Sequence, residues 1–174
     1  MRNKILILSL VGVLAGCGGG SDNAADETTQ AAKEKLVALE ASGAIPKLDR
    51  SNTLAGTDAN SNGIRDDVET LIAHNYTSSA QRTAAMQTAK ALQSALTVDA
   101  SDVSAVKMVD RKISRGINCI YSKFDASHDQ NPAQVVKELE AITTNTKQRL
   151  LTYLRFNKAL DGTSSALPEG DSCD

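Results

Sequence analysis

Between residues 106 and 124 the chain places Val106, Val109, Ile113, Ile117, Ile120 and Phe124 at successive spacings of 3, 4, 4, 3 and 4. Those intervals follow the 3.6-residue period of an α-helix and put six apolar side chains on one face, which the two-residue period of a strand cannot do. A helix striped in this way must bury the stripe against something. The rest of the sequence supplies helices and almost no strand signal.

Residues 28–42 are rich in Ala, Lys, Glu and Leu and end at Gly43, a residue suited to the position after a helix. A second helix is expected from Asp66 to about His74, with Val68, Leu71 and Ile72 facing inward. Ser78 followed three residues later by Gln81 has the form of a capping box and opens a third helix to about Leu96. There Ala80, Ala84, Ala91 and Ala95 form one stripe and Ala85, Ala89, Leu92 and Leu96 the next, a thin face that lets a neighbouring helix come close. Asp99 or Ser101 is expected to cap the fourth helix, which carries the 106–124 stripe. Asn131 and Pro132 read as N-cap and first residue of a fifth helix through about Leu160, with Val135, Leu139, Ile142, Leu150 and Leu154 inward and Gly162 beyond its end. The fold class is therefore all-α, a bundle of about five helices with no internal repeat.

The N-terminus reads differently. Arg2 and Lys4 precede an apolar run from Ile5 to Leu14, too short to span a bilayer, followed by small residues and a cysteine. Leu14-Ala15-Gly16-Cys17 resembles the lipobox of bacterial lipoproteins. That resemblance implies a signal peptide over residues 1–16 and acylation of Cys17 as the new N-terminus, giving a lipid-anchored protein of the cell envelope. Gly rather than Asp at position 18 favours the outer membrane, with the domain in the periplasm or at the cell surface. Residues 17–30, Gly-rich and then polar and acidic, read as a flexible tether, leaving 31–174 as one helical domain.

With Cys17 lipidated, Cys119 and Cys173 remain in a chain that has left the cytoplasm. An even pair in an oxidising compartment reads as a disulfide. The alternative, free thiols in a redox or metal site, has neither a CxxC spacing nor a neighbouring His.

One motif carries ligand chemistry. Asp58-x-Asn60-x-Asn62-Gly63, with Glu69 closing the series, fits the twelve-residue calcium-loop template at each specified position. Alternate side chains aim oxygen inward, Gly63 permits the sharp turn, Ile64 offers its backbone carbonyl, Asp66 sits at the ninth position and Glu69 closes the shell. The stretch resembles EF-hand loops, and more closely the thrombospondin type 3 style of loop in exported bacterial proteins, which implies Ca²⁺ as ligand. It departs in having neutral Asn60 and Asn62 at positions 3 and 5 and Arg65 at position 8, and no EF-hand-type helix leads into it. The alternative is a polar turn ahead of an acidic helix start, with Asp66 and Asp67 favoured by the helix dipole.

Other chemistry is sparse. His74 and His128 have no partner at metal-ligand spacing, and no nucleophile or phosphate-loop motif is present. Lys107, Arg111 and Arg115 line one helix face, either as a solvated surface or as a dock for anionic headgroups or a polyanionic envelope component. A net charge of −2 and 3% aromatic residues give no footprint for nucleic acid. Two functional readings follow. The first is a calcium-braced, non-enzymatic interaction or scaffolding module anchored to the membrane and meeting an envelope protein or polyanion. The second is an envelope hydrolase, or an accessory to one, whose acidic groups the sequence does not identify.

Overall fold

A computed structural model of the chain describes residues 22–125, 131–166 and 168–174. The proposed signal peptide, Cys17, the first part of the proposed tether and His128 lie outside the described residues. The chain divides into two units, residues 1–44 and 45–174. All regular structure among the described residues is helical: α1 (Asp22–Ala41), α2 (Asp66–Asn75), α3 (Ser79–Thr97), α4 (Val103–Lys123), α5 (Pro132–Thr143) and α6 (Lys147–Ala159). None is long and apolar enough to cross a membrane.

In the first unit α1 begins at Asp22, earlier than the expected residue 28, and so runs through part of the segment read as a tether. Its C-terminus is a Schellman motif. Gly43, at φ +73°, donates its N–H to Glu40 O and Ala44 donates to Leu39 O, which satisfies two carbonyls that the helix leaves open.

The second unit is a five-helix bundle in which α3 packs against α2, α4, α5 and α6. Its small face explains this central place. Ala84, Ala85, Ala89, Ala91 and Ala95 are all buried, and Gly116 of α4 lies so close that a Cβ there would meet Thr88 Cα at 2.9 Å. The α4 stripe buries Val106, Val109, Ile113, Ile120 and Phe124 as its period requires, with Ile117 half-buried. Val68 and Ile72 of α2, Val135, Leu139 and Ile142 of α5, and Phe156 of α6 complete the core, and Phe124 meets Tyr76 edge to face at 5.1 Å.

Three expectations are corrected. The single fifth helix is two, broken at Thr144-Asn145-Thr146. There Thr144 Oγ1 donates back to Glu140 O while Thr146 Oγ1 accepts from Arg149 N–H as a new N-cap, so local side-chain bonds outcompete the helical ladder. The break turns α6 so that Leu150 and Leu154 are exposed, at 45% and 52%, and Arg149 and Phe156 are buried instead. The α4 cap is Asp102, which accepts from Ser104 N–H and Ala105 N–H. Asp99 instead takes the N–H and hydroxyl of Ser101 in the preceding turn. Ser78 stands at the N-cap of α3 but makes no side-chain capping bond, so the capping box does not form.

Cys119 and Cys173 form a disulfide, with Cα atoms 5.0 Å apart across 54 residues of chain. Ser172 Oγ donates to Arg115 O and Gln87 Nε2 to Ser172 O, so hydrogen bonds to α3 and α4 hold the 170–174 segment beside the bridge.

Candidate functional site

The segment from Asp58 to Glu69 folds into a tight loop leading into α2. Ser61 and Gly63 adopt left-handed backbone, at φ +56° and +86°. Gly takes that conformation at no steric cost. The Asp58 carboxylate accepts Asn62 N–H at 3.2 Å and Gly63 N–H at 2.8 Å. Asn60 Oδ1 accepts Asn62 N–H at 3.1 Å, and Asn62 Oδ1 accepts Ile64 N–H at 2.9 Å. Across the loop, Asp66 Oδ1 accepts Ala59 N–H at 3.0 Å. Glu69 receives the amide NH₂ groups of both Asn60, at 3.0 Å, and Asn62.

Asp58, Asn60, Asn62, Asp66 and Glu69 are thus brought together by the loop's own hydrogen bonds. Ile64 anchors the loop from beneath, 4% exposed in the core. The donor set is oxygen-rich and carries three carboxylates, which fits a hard cation of the calcium type. The carboxylates do not close on a single point. Among the described residues no three His, Cys, Asp or Glu side chains form a metal-sized group. The two Asn amides come between them, presenting the positive ends of their dipoles to Glu69.

A pair of buried arginines holds the base of this loop. Asp66 N–H closes the base by donating to Thr57 O at 2.9 Å. Arg65, the departure at position 8, is fully buried. Its Nε and Nη2 grip the Asp67 carboxylate at 2.6 and 2.9 Å, and Nη2 also donates to Ile142 O at 2.9 Å. Arg149 of α6, equally buried, donates to the carbonyls of Asp49 at 2.6 Å, Thr53 at 3.0 Å and Leu54 at 3.3 Å, and to Asn145 Oδ1 at 2.8 Å. Asp49 completes the frame, accepting from Ser51 and Thr57 N–H and donating its own N–H to Asp67 Oδ2. Gly56, at φ +69°, lies against the Arg65 stem, where any Cβ would collide with it.

This frame sets the electrostatics. Burial pushes the pKa of Asp49 up, but hydrogen bonds from Ser51 and Thr57 outweigh it and hold the carboxyl well below its usual range. Burial and the nearby Arg65 charge lower the basicity of Arg149, while Asp49 and Asp67 oppose them. Two cations and two carboxylates balance. Arg65 has a signal in the sequence, as a charge where EF-hand loops carry an apolar residue. Arg149 and Asp49 have none, because their pairing spans 100 residues.

Of the remaining candidates, His74 is exposed at the end of α2, and Lys107 and Arg111 are exposed on α4. Arg115 pairs with Asp174 at 3.0 Å. No protein-family model, curated protein or solved structure matches this chain.

Proposed function

We propose that the protein is a lipid-anchored helical module of the bacterial cell envelope, braced by calcium at residues 58–69 and acting by interaction rather than by catalysis. The observation that carries the calcium reading is the convergence of Asn60 and Asn62 on Glu69, with Asp58 and Asp66 tied to the same loop. In such a site Asp58, Asp66 and Glu69 supply charge, while Asn60, Asn62 and the Ile64 carbonyl supply neutral oxygens. The arginine frame stands in for an entering helix, so the loop's base is ordered before any ion arrives. Three carboxylates and a single unpaired loop correspond to the affinity of extracellular modules, with Kd on the order of 0.1 to 1 mM. Anchoring rests on the resemblance of Leu14–Cys17 to a lipobox, and the interaction role on the surface charges that the bundle leaves exposed.

The test is thermal unfolding with and without calcium, in the unmodified protein and in Asp58→Ala and Glu69→Ala. Calcium at about ten times Kd should stabilise the folded state by roughly 1.4 kcal/mol through mass action. Mg²⁺ should do less, because it prefers a smaller octahedral shell. A calcium response that survives both substitutions puts the ion elsewhere, and no response at several millimolar calcium rejects the site. For anchoring, Cys17→Ser should leave an unacylated precursor; normal processing of that variant rejects the lipoprotein reading.

A further inference from the structure

Between α3 and α4 lies a cleft of about 330 Å³ whose polar lining comes from Gln87, Lys90, Ser94, Lys112, Arg115 and Asp174; the Lys90 stem reaches it past Gly63 of the 58–69 loop. Its charge is unbalanced. Three cations face one carboxylate, in a chain whose net charge is −2. Neither Lys90 nor Lys112 has an ion-pair partner among the described residues. The carboxylate arrives from the 170–174 segment. The disulfide at Cys173 and the bond from Asp174 N–H to Gln87 Oε1, at 3.1 Å, set Asp174 against the Arg115 guanidinium at 3.0 Å. Both Arg115 and Asp174 are largely exposed, at 50% and 70% for their side chains, so their pairing is weak and open to exchange.

We propose that this cleft binds a phosphate group, with Lys90, Lys112 and Arg115 as its cationic walls and Asp174 as the internal anion that the phosphate displaces. With Asp174 displaced, the three cations face the ligand alone, and a phosphate dianion offsets two of their charges where a carboxylate offsets one. The planar fork of Arg115 also matches two phosphate oxygens at once. The site gives a chemistry to the partner in the interaction reading above and rests on that reading only there. It needs neither bound calcium nor the anchor.

The experiment titrates the full chain, in neutral detergent and calcium-free buffer, with inorganic phosphate at constant ionic strength, read by calorimetry. Saturable binding is expected where chloride gives none. Lys112→Gln removes a charge-assisted hydrogen bond and should weaken binding by about tenfold or more. Asp174→Asn removes the competitor and should tighten it severalfold, an effect that a purely structural role for the tail would not produce. Dihexanoyl phosphatidic acid, a phosphomonoester like the proposed ligand, set against dihexanoyl phosphatidylcholine, identifies the source. Tighter binding of the former than of inorganic phosphate assigns a lipid headgroup, and equal or weaker binding assigns a free phosphate. No saturable signal, an equal response to chloride, or indifference to both substitutions overturns the proposal. Calcium-induced stabilisation is measured separately, so loss of one reading leaves the other standing.

Discussion

Replacing Arg149 by Met removes the donor around which residues 49–54 are folded. The guanidinium serves six acceptors: the carbonyls of Asp49, Thr53 and Leu54, Asn145 Oδ1, and the longer contacts at 3.4 Å to Asp49 Oδ1 and Ser51 Oγ. Methionine fills much of the volume and supplies no hydrogen. Taking one partner from a buried ion pair costs roughly 3 to 5 kcal/mol, because the other charge stays behind. Two features of the structure pull the value toward the lower end. Ser51, Asn52 and Thr53 are exposed, so the segment can open to water rather than remain dry and unsatisfied, and removing Arg149 also relieves its repulsion with Arg65. A loss of about 3 kcal/mol is therefore expected, a large share of the roughly 5 to 15 kcal/mol that holds a domain together. Arg149→Lys keeps the charge but offers three hydrogens in place of five, and should lose about half as much. Urea unfolding followed by circular dichroism measures both. If calcium binds the loop, its stabilising effect should also shrink in Arg149→Met, since Thr57 and Asp66 close the loop on the segment that Arg149 holds. An Arg149→Met protein within about 0.5 kcal/mol of the unmodified one would refute the frame as described.

Three further outcomes are expected. Gly116→Ala should destabilise by about 1 to 2 kcal/mol in the same assay: the methyl gains about 1 kcal/mol of helix propensity, but it meets Thr88 Cα, which is backbone and cannot swing aside. The depressed Asp49 carboxyl contributes stability that is present above its unfolded pKa, about 4, and is lost as pH falls further, so acid unfolding should begin below that pH and be blunted in Asp49→Asn. Removing the disulfide by Cys173→Ala releases a loop spanning 54 residues and should cost roughly 4 kcal/mol by chain entropy; an unchanged urea midpoint would mean that the bridge does not constrain the unfolded chain.

The helices themselves were written locally. The 106–124 stripe, the Asn131-Pro132 start and Gly43 each act through neighbours within one or two turns, and the corresponding helices stand close to where the residues place them. The calcium-loop pattern is local in the same sense, since Asp58 to Glu69 reach each other within a dozen residues. Capping was less legible, because several polar residues competed for each helix start and the backbone chose Asp102 over Asp99 and Ser101. What the local pattern could not decide was the orientation of α6. Leu150 and Leu154 continue the apolar spacing of α5, yet three consecutive polar residues, Thr144, Asn145 and Thr146, divert the backbone, and only the docked bundle shows which face then turns inward. That face carries Arg149, whose burial makes sense only beside Asp49 and the carbonyls of a segment nearly 100 residues earlier. A guanidinium in sequence reads as a surface charge because desolvating it alone is prohibitive. It becomes an interior residue when distant backbone oxygens and a carboxylate surround it, and that enclosure exists only in the folded chain.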